Sequence, residues 1–203
     1  SDSDLIEEYS NKKVPAHQPS LTIINQQNKG LQEIPQFNQS NTSDLFELKL
    51  DSNQIKQITH VPQGCLKLFL SQNRVASLSK HLPPNYELKL IDLSFNRLIS
   101  LSGFQSLHKL QDLNVSNNYL CDDQLCYLQH SNVRKLDISN NNLKAKGPEI
   151  SNLVEKMKNL EQLNLSNNHL EIIDISCLSN SLTRLEADYN KLVRVSFNSE
   201  LAG

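Results

Sequence analysis

An eleven-residue block that recurs along the chain constrains the fold more than any other feature of this sequence. Aligned on its asparagines, the block carries apolar side chains at positions one, four, six and eleven and asparagine at position nine. Seven clear copies offer 35 such slots, and 33 of them hold a branched aliphatic residue or asparagine as the pattern requires. The other two, Cys65 and Ala187, are small and apolar. A unit repeated this regularly predicts a solenoid.

The copies lie 20 to 27 residues apart. The clear copies begin at Leu45, Cys65, Leu88, Leu110, Val133, Leu160 and Leu182. A degenerate copy precedes them from Leu21, with Gln26 where an aliphatic residue belongs and Lys29 where asparagine belongs. Positions four and six point the same way along an extended strand, because side chains alternate along it. One such strand cannot bury its apolar edge alone, so we expect the copies to stack into a parallel sheet.

Asparagine at position nine follows the predicted strand, where the chain turns and its backbone groups lose their sheet partners. An asparagine amide can both donate to and accept from such a turn, and asparagine tolerates turn conformations. The sequence therefore predicts an inward ladder of structural side chains rather than an active site. The members of this asparagine ladder are Asn53, Asn73, Asn96, Asn118, Asn141, Asn168 and Asn190.

The block resembles the leucine-rich repeat, LxxLxLxxNxL, over about residues 21–197. The resemblance implies an α/β fold: a right-handed solenoid with a concave parallel sheet of about seven to eight strands. Turns, 3₁₀ segments and one helix would form the convex side. Copies of about 22 residues look most like the SDS22-like intracellular subclass. The 27-residue copy looks more like the ribonuclease-inhibitor type, with a full helix.

The outer segments carry few apolar residues. In the longest copy, Pro148 stands at a plausible first helical position before Glu149–Lys158. Four side chains fall on one helical stripe there: Ile150, Leu153, Val154 and Met157. Two other connections carry an apolar pair each, Leu101 with Leu107 and Leu125 with Leu128. We expect these side chains to close the core from outside.

Three segments follow from the repeat. Residues 1–20 are predicted to be an N-terminal arm or short helical cap, and residues 21–197 the repeat domain with one degenerate and seven clear copies. Residues 198–203 are predicted to be a C-terminal tail and a candidate truncation point. Terminal repeats normally need a polar covering, and these residues provide no obvious cap.

Charge and composition exclude several function classes. The 20 Lys and Arg against 22 Asp and Glu leave a net charge of −2, which is not the basic signature of a nucleic-acid binder. No apolar run approaches the length of about 18 residues that a membrane span requires. A zinc site at Cys121, Cys126 and His130 would lack a fourth ligand, so the sequence predicts neither a metal nor a cofactor.

The four cysteines favour an intracellular, cytoplasmic protein, with a cytoskeletal or nuclear location as alternatives. They do not form the dense framework of small secreted domains. Extracellular recognition is the competing hypothesis, because the chain has four glycosylation-type triplets. These triplets begin at Asn38, Asn41, Asn114 and Asn164.

Positions three, five and seven are predicted to face outward on the concave side, with the serines at position seven as neutral spacers. Phe69, Leu90 and Phe95 would form one exposed apolar cluster there, a candidate anchor for a partner. The alternative is that Phe95 folds back onto the asparagine ladder as a spine residue and that Leu90 is simply exposed.

A second concave feature is acidic. Asp92, Asp112 and Asp137 fall on three successive copies, with Asn114 and Asn164 between and beside them. Such a row would focus a negative potential on a basic partner segment, and ordinary solvated charge is the alternative. A third, mixed patch lies near the C-terminal end: Arg184, Glu186, Asp188 and Tyr189.

Catalysis finds little support in this sequence. None of the six histidines occupies a concave strand position, and an open sheet is a poor place to shift the pKa values of a carboxylate pair. We predict a non-catalytic scaffold, without a small-molecule substrate, that presents its concave face to a protein in intracellular signalling or cytoskeletal anchoring. The resemblance also implies two alternatives, a phosphatase regulatory subunit and an extracellular ligand-recognition domain.

Overall fold

The computed structural model describes residues 21–36, 45–83, 87–176 and 181–197. The predicted arm at residues 1–20 and the predicted tail at residues 198–203 lie outside the described residues. The same holds for Cys177 and for the triplets that begin at Asn38 and Asn41.

The described residues form twelve short strands, one α-helix and two 3₁₀ helices. The strands are β1 (Thr22–Asn25), β2 (Phe46–Lys49), β3 (Gln57–Ile58), β4 (Cys65–Phe69), β5 (Ser77–Leu78), β6 (Leu90–Asp92), β7 (Asp112–Asn114), β8 (Lys135–Asp137), β9 (Gln162–Asn164), β10 (Ile172–Ile175), β11 (Arg184–Glu186) and β12 (Arg194–Phe197). The α-helix is α1 (Glu149–Lys156), and the 3₁₀ helices are Phe104–Ser106 and Asp122–Leu128.

Eight of these strands form one parallel sheet, in the order β1-β2-β4-β6-β7-β8-β9-β11. Each copy of the block contributes one strand, and each strand pairs with the next copy along the chain. The degenerate copy also contributes, since β1 pairs with β2 from Thr22 to Asn25. The predicted solenoid with a concave parallel sheet of seven to eight strands is therefore confirmed.

The core follows the period of the block. Side chains at positions four and six are buried in the first six clear copies, as in Leu68 and Leu70. In the last clear copy, Leu185 and Ala187 are only half-buried, because no described strand covers them from the far side. The central strands thus rest on a continuous apolar core.

The outer side combines predicted and unpredicted elements. Three of the four predicted stripe residues lie in α1 and the fourth, Met157, is its C-cap; all four are buried, as are both apolar pairs, Leu101 with Leu107 and Leu125 with Leu128. Pro148 is the N-cap of α1 rather than its first helical residue, and the helix ends at Lys156. Two small parallel sheets, β3 with β5 and β10 with β12, stand where only turns and 3₁₀ segments were expected.

The seven position-nine asparagines share one hydrogen-bond pattern. In a typical case, Asn118 Nδ2 donates to the carbonyls of Leu93 and Val115, one in each of two neighbouring copies. Its Oδ1 accepts from the backbone N–H of Leu98 at 2.8 Å. The first six members are buried, and Asn190 is half-buried at the C-terminal end of the sheet. The ladder thus joins each copy to the one before it.

Position eight, directly before the ladder position, has a left-handed backbone in all eight copies, with φ between 53° and 57°. These residues are Asn28, Ser52, Gln72, Phe95, Asn117, Asn140, Asn167 and Tyr189. This left-handed conformation ends the extended strand, so the side chains beyond it no longer alternate between the two faces of the sheet. Position eight therefore decides where the neighbouring side chains point.

Candidate partner-binding groove

Two rows of side chains cross the concave face of the sheet, because the parallel register brings like positions together in neighbouring copies. The position-three row is Ile23, Glu47, Lys67, Leu90, Asp112, Lys135, Gln162 and Arg184. The position-five row is Asn25, Lys49, Phe69, Asp92, Asn114, Asp137, Asn164 and Glu186. Strands of one sheet lie about 4.8 Å apart, so each side chain has neighbours within reach along its row.

A groove with a volume of about 480 Å³ lies over these rows from β4 to β11. Nine residues singled out in the sequence line it: Phe69, Leu90, Asp92, Asp112, Asn114, Asp137, Asn164, Arg184 and Glu186. Lys135 and Gln162 line it as well, which the sequence reasoning did not single out. Both residues stand at position three of their copies, and this position is the sequence signal that could have identified them as groove residues. The structure thus brings the predicted acidic row, part of the apolar cluster and part of the mixed patch into one groove.

Three predicted residues lie outside the groove lining: Phe95, Asp188 and Tyr189. Phe95 is 55% exposed and Tyr189 is 82% exposed, and both occupy left-handed position eight. Phe95 is more than half exposed, so it is not buried against the asparagine ladder as a spine residue would be. Phe95 does not line the groove with Phe69 and Leu90.

The serines at position seven are not outward-facing spacers, so that expectation was wrong. Four of them are buried: Ser94, Ser116, Ser139 and Ser166. Their backbone N–H groups donate to the side-chain oxygen at position five of the same copy, over 2.8–3.0 Å. These four serines directly precede the left-handed residue at position eight, and their side chains are buried rather than exposed on the concave face.

Those bonds give the position-five side chains a structural role. Asp92 Oδ1 accepts from the Ser94 N–H, and Asp137 Oδ1 accepts from both the N–H and the hydroxyl of Ser139. Asn114 and Asn164 use their amide oxygens in the same way. Aspartate and asparagine therefore serve equally as acceptors at this position. The turn does not require the negative charge of Asp92 and Asp137.

Two ion pairs hold cations at the ends of the groove. Lys67 Nζ lies 2.6 Å from Glu47 Oε1, and Arg184 pairs with Glu186 on the last strand. In the described part of the chain, no ion pair involves Asp92, Asp112 or Asp137. The middle of the groove is therefore more acidic than its ends.

The sequence reasoning missed a second exposed apolar surface. Ile99 and Tyr119 are 62% and 56% exposed, on the loops that follow the asparagine ladder. Tyr119 lies at position ten of its copy and Ile99 lies one residue after position eleven, so both follow the predicted strand. Arg74 and Arg97 are exposed at position ten of the two copies that precede the copy of Tyr119.

The titratable groups show little sign of reaction chemistry. Burial raises the pKa of the Cys65 thiol to about 12, and this thiol is fully inside the core. Hydrogen bonds from Ser176 lower the pKa of the exposed carboxyl of Asp174. Among the described residues, no group of three or more His, Cys, Asp or Glu side chains is placed to hold a metal ion.

Known proteins agree with this architecture. The Leucine Rich Repeat family model matches residues 132–153 and 159–181. The chain folds as a leucine-rich repeat solenoid. The solved leucine-rich repeat domain of APL1B superposes on 88% of this chain and on 57% of its own, with a TM-score of 0.64 and 20% identity. At this identity the likeness supports the leucine-rich repeat fold alone.

Two curated proteins also resemble this chain. Protein NUD1 of Saccharomyces cerevisiae is 32% identical over 126 residues, 62% of this chain and 13% of that protein. Osteomodulin of Bos taurus is 28% identical over 160 residues, 73% of this chain and 36% of that protein. The chain therefore spans about a third or less of the length of these relatives.

In the described parts of the chain, no helix is long and apolar enough to cross a membrane.

Proposed function

We propose that the concave face of this leucine-rich repeat solenoid binds a protein partner without catalysing a reaction. The observation that supports the proposal most directly is the groove from β4 to β11, lined by side chains of six neighbouring copies. A long, shallow groove on a rigid sheet suits an extended partner segment better than a small molecule, which would be enclosed more fully.

The composition of the groove supports a non-catalytic role. None of its lining residues is a histidine or a cysteine, and its carboxylates lie on an open face rather than in an enclosed cleft. Ground-state binding requires complementary shape and charge, and both are available from Phe69, Leu90 and the aspartates of the acidic row. We propose a partner that presents a basic segment to this row.

We also propose an intracellular role in signalling or anchoring, in keeping with the resemblance to the SDS22-like subclass. Cys65, Cys121 and Cys126 are free thiols, as in a reducing compartment. Intact-mass measurement on protein made in a secretory host tests this part of the proposal. Hexose-bearing Asn38 or Asn41 would contradict it, and an unmodified mass would support it.

Affinity capture from native lysate, followed by mass spectrometry, tests the binding proposal. The bait is the wild-type chain or a Phe69→Ala, Asp92→Lys, Asp137→Lys triple variant. Both lysine substitutions remove the acceptor of a position-seven N–H, so the triple variant is compared with wild type only after its fold has been checked. We expect a partner that the wild type retains and the triple variant loses.

A matched control places the same chemical changes outside the groove: Tyr119→Ala, Asp123→Lys and Glu155→Lys. All three positions are exposed, and none lines the groove. Circular dichroism confirms that each bait is folded. Capture by the control and loss by the triple variant assign the partner to the concave face. Equal capture by all three baits would contradict the proposal.

A further inference from the structure

Four groove residues form a compact group in which apolar and acidic side chains are direct neighbours. The register pairs Phe69 with Asp92 and Leu90 with Asp112. All four side chains are half-buried and line the groove. Asp92 and Asp112 lie diagonally across two neighbouring strands. Their backbones are about 8 Å apart, because the strands are about 4.8 Å apart and the two residues are offset by two positions along the strand. We call these residues the mixed site.

The carboxylates of the mixed site retain unused acceptors. Asp92 Oδ1 takes the Ser94 N–H at 2.8 Å, and this is the one side-chain hydrogen bond of Asp92 within the described ranges. Asp112 has no side-chain hydrogen bond or ion pair to any described residue. The register neighbour of Asp112 is Lys135, yet the two do not approach within ion-pair distance.

Lys67, on the strand that precedes Leu90 in the sheet, already forms an ion pair outside the mixed site. Lys67 is the register neighbour of Leu90, but its ammonium pairs with Glu47 one strand further away. The mixed site therefore combines an apolar surface with two carboxylates that no cation of the described chain neutralises directly. Its complement is a side chain with an apolar stem and a cationic head.

We infer that the mixed site binds one arginine side chain of an extended partner segment. The inference rests on the proposed function and assigns the partner chemistry at one place in the groove. The three-carbon stem of arginine would lie against Phe69 and Leu90, and its planar head can also stack on an aromatic ring. The guanidinium carries five N–H donors in a fixed fork, so it can donate to both Asp92 and Asp112.

Arginine fits better than the other basic residue. A lysine ammonium is compact and strongly hydrated, and it acts as a point charge rather than a planar bridge between two acceptors. The open groove does not enclose a free amino acid, so backbone contacts of a longer segment must contribute to binding. The partner is accordingly a peptide segment with arginine at one position.

The test uses four synthetic peptides of the form acetyl-Ser-Gly-Ala-Xaa-Ala-Gly-Ser-amide, with arginine, lysine, citrulline or glutamate as Xaa. Citrulline is the uncharged counterpart of arginine with nearly the same shape. Amide chemical shifts of the labelled protein are followed as each peptide is added to millimolar concentration. We expect shifts at Leu90, Asp92 and Asp112 with the arginine peptide, with at least about tenfold weaker binding for citrulline. The lysine peptide should bind less tightly than the arginine peptide.

The Asp92→Asn, Asp112→Asn double variant removes the charge but keeps the turn, because Asn114 and Asn164 make the same position-five bond. Its affinity for the arginine peptide should fall at least about tenfold. An Asp123→Asn, Glu155→Gln double variant has the same net charge and changes two exposed residues outside the groove, so it should bind like wild type. Equal losses in both double variants would show unspecific charge attraction and overturn the inference.

Two further outcomes would overturn it: no shift with the arginine peptide, or equal binding of the arginine and citrulline peptides. The lysate capture experiment separates these failures from failure of the proposed function. If capture still depends on the concave face while the peptides fail, only the arginine assignment is wrong. If capture ignores the concave face, the proposed function is wrong as well.

Discussion

Asp51 supplies the hydrogen-bond acceptor that Phe69 cannot. In five other copies an aspartate or asparagine at position five accepts from the position-seven N–H of its own copy. In the third strand of the sheet Phe69 occupies position five, and the N–H of Ser71 donates instead to Asp51 Oδ1 in the preceding copy, over 2.9 Å. This bond between copies allows an apolar side chain to stand in the groove without leaving the turn unsatisfied.

Asp51→Ala is therefore expected to destabilise the protein by about 1–2 kcal/mol, because it removes the acceptor of the part-buried Ser71 N–H and of the Gln27 side-chain amide. Urea unfolding followed by circular dichroism measures the change in the free energy of unfolding. Adding Phe69→Asn to Asp51→Ala should recover part of the loss, since asparagine at position five restores the local acceptor. An Asp51→Ala variant as stable as wild type would contradict this account.

The asparagine ladder should matter most where it is buried. Asn118→Ala removes side-chain bonds to three carbonyls and to the Leu98 N–H, all of them enclosed by neighbouring copies. We expect a loss of about 2–3 kcal/mol in the free energy of unfolding. Asn190→Ala makes the same chemical change at the half-buried end and should cost about 1 kcal/mol. Equal costs at both positions, in urea unfolding, would contradict the role of burial.

Phe95 carries a backbone cost that its exposed ring does not offset. Its φ of 54° lies in the left-handed region, which asparagine tolerates better than a bulky side chain. Phe95→Asn should stabilise the fold by about 0.5–1 kcal/mol. The reverse exchange in the next copy, Asn117→Phe, should destabilise it by a similar amount. Thermal unfolding of the two variants side by side checks both signs, and a destabilised Phe95→Asn would mean that the ring packs.

The cysteines should differ sharply in reactivity. Cys65 is fully buried with a pKa near 12, so it should resist iodoacetamide near neutral pH in the folded protein. Cys121 and Cys126 are exposed and should be alkylated. Peptide mapping by mass spectrometry, with and without urea, reads each site separately. Alkylation of Cys65 at the same rate as the exposed pair would contradict the burial seen here.

The same thiol makes stability depend on pH at the alkaline end. An unfolded cysteine releases its proton near pH 9.0, whereas the raised pKa of Cys65 keeps it protonated up to about 12 in the folded state. The free energy of unfolding should therefore fall as pH rises from 9.0 towards 12, because the unfolded state alone loses the proton. A Cys65→Ala variant should lack this component of the pH dependence.

Much of the groove could be predicted because position in the block determines which neighbour a side chain meets. Counting eleven residues from each start places Asp92 beside Asn114 and Asn114 beside Asp137, as the register shows. The same count failed at position seven and at Phe95, where simple alternation was extended past the end of the strand. Lys135 lies at position three of its copy, so the same count places it in the groove beside Asp112.

The sequence by itself determined the solenoid, the seven to eight strands of its concave sheet and the part of the core that the block positions supply, because one strand cannot bury its apolar positions without stacked neighbours. It did not determine the two small sheets on the outer side. The tertiary structure alone decided which acceptor serves each turn and which charges remain unpaired. Asp51 and Ser71 are 20 residues apart in the chain, and Lys67 could have faced Leu90 rather than Glu47. Such choices depend on distances between copies and on the left-handed turn at position eight, and neither is contained in the spacing of the block.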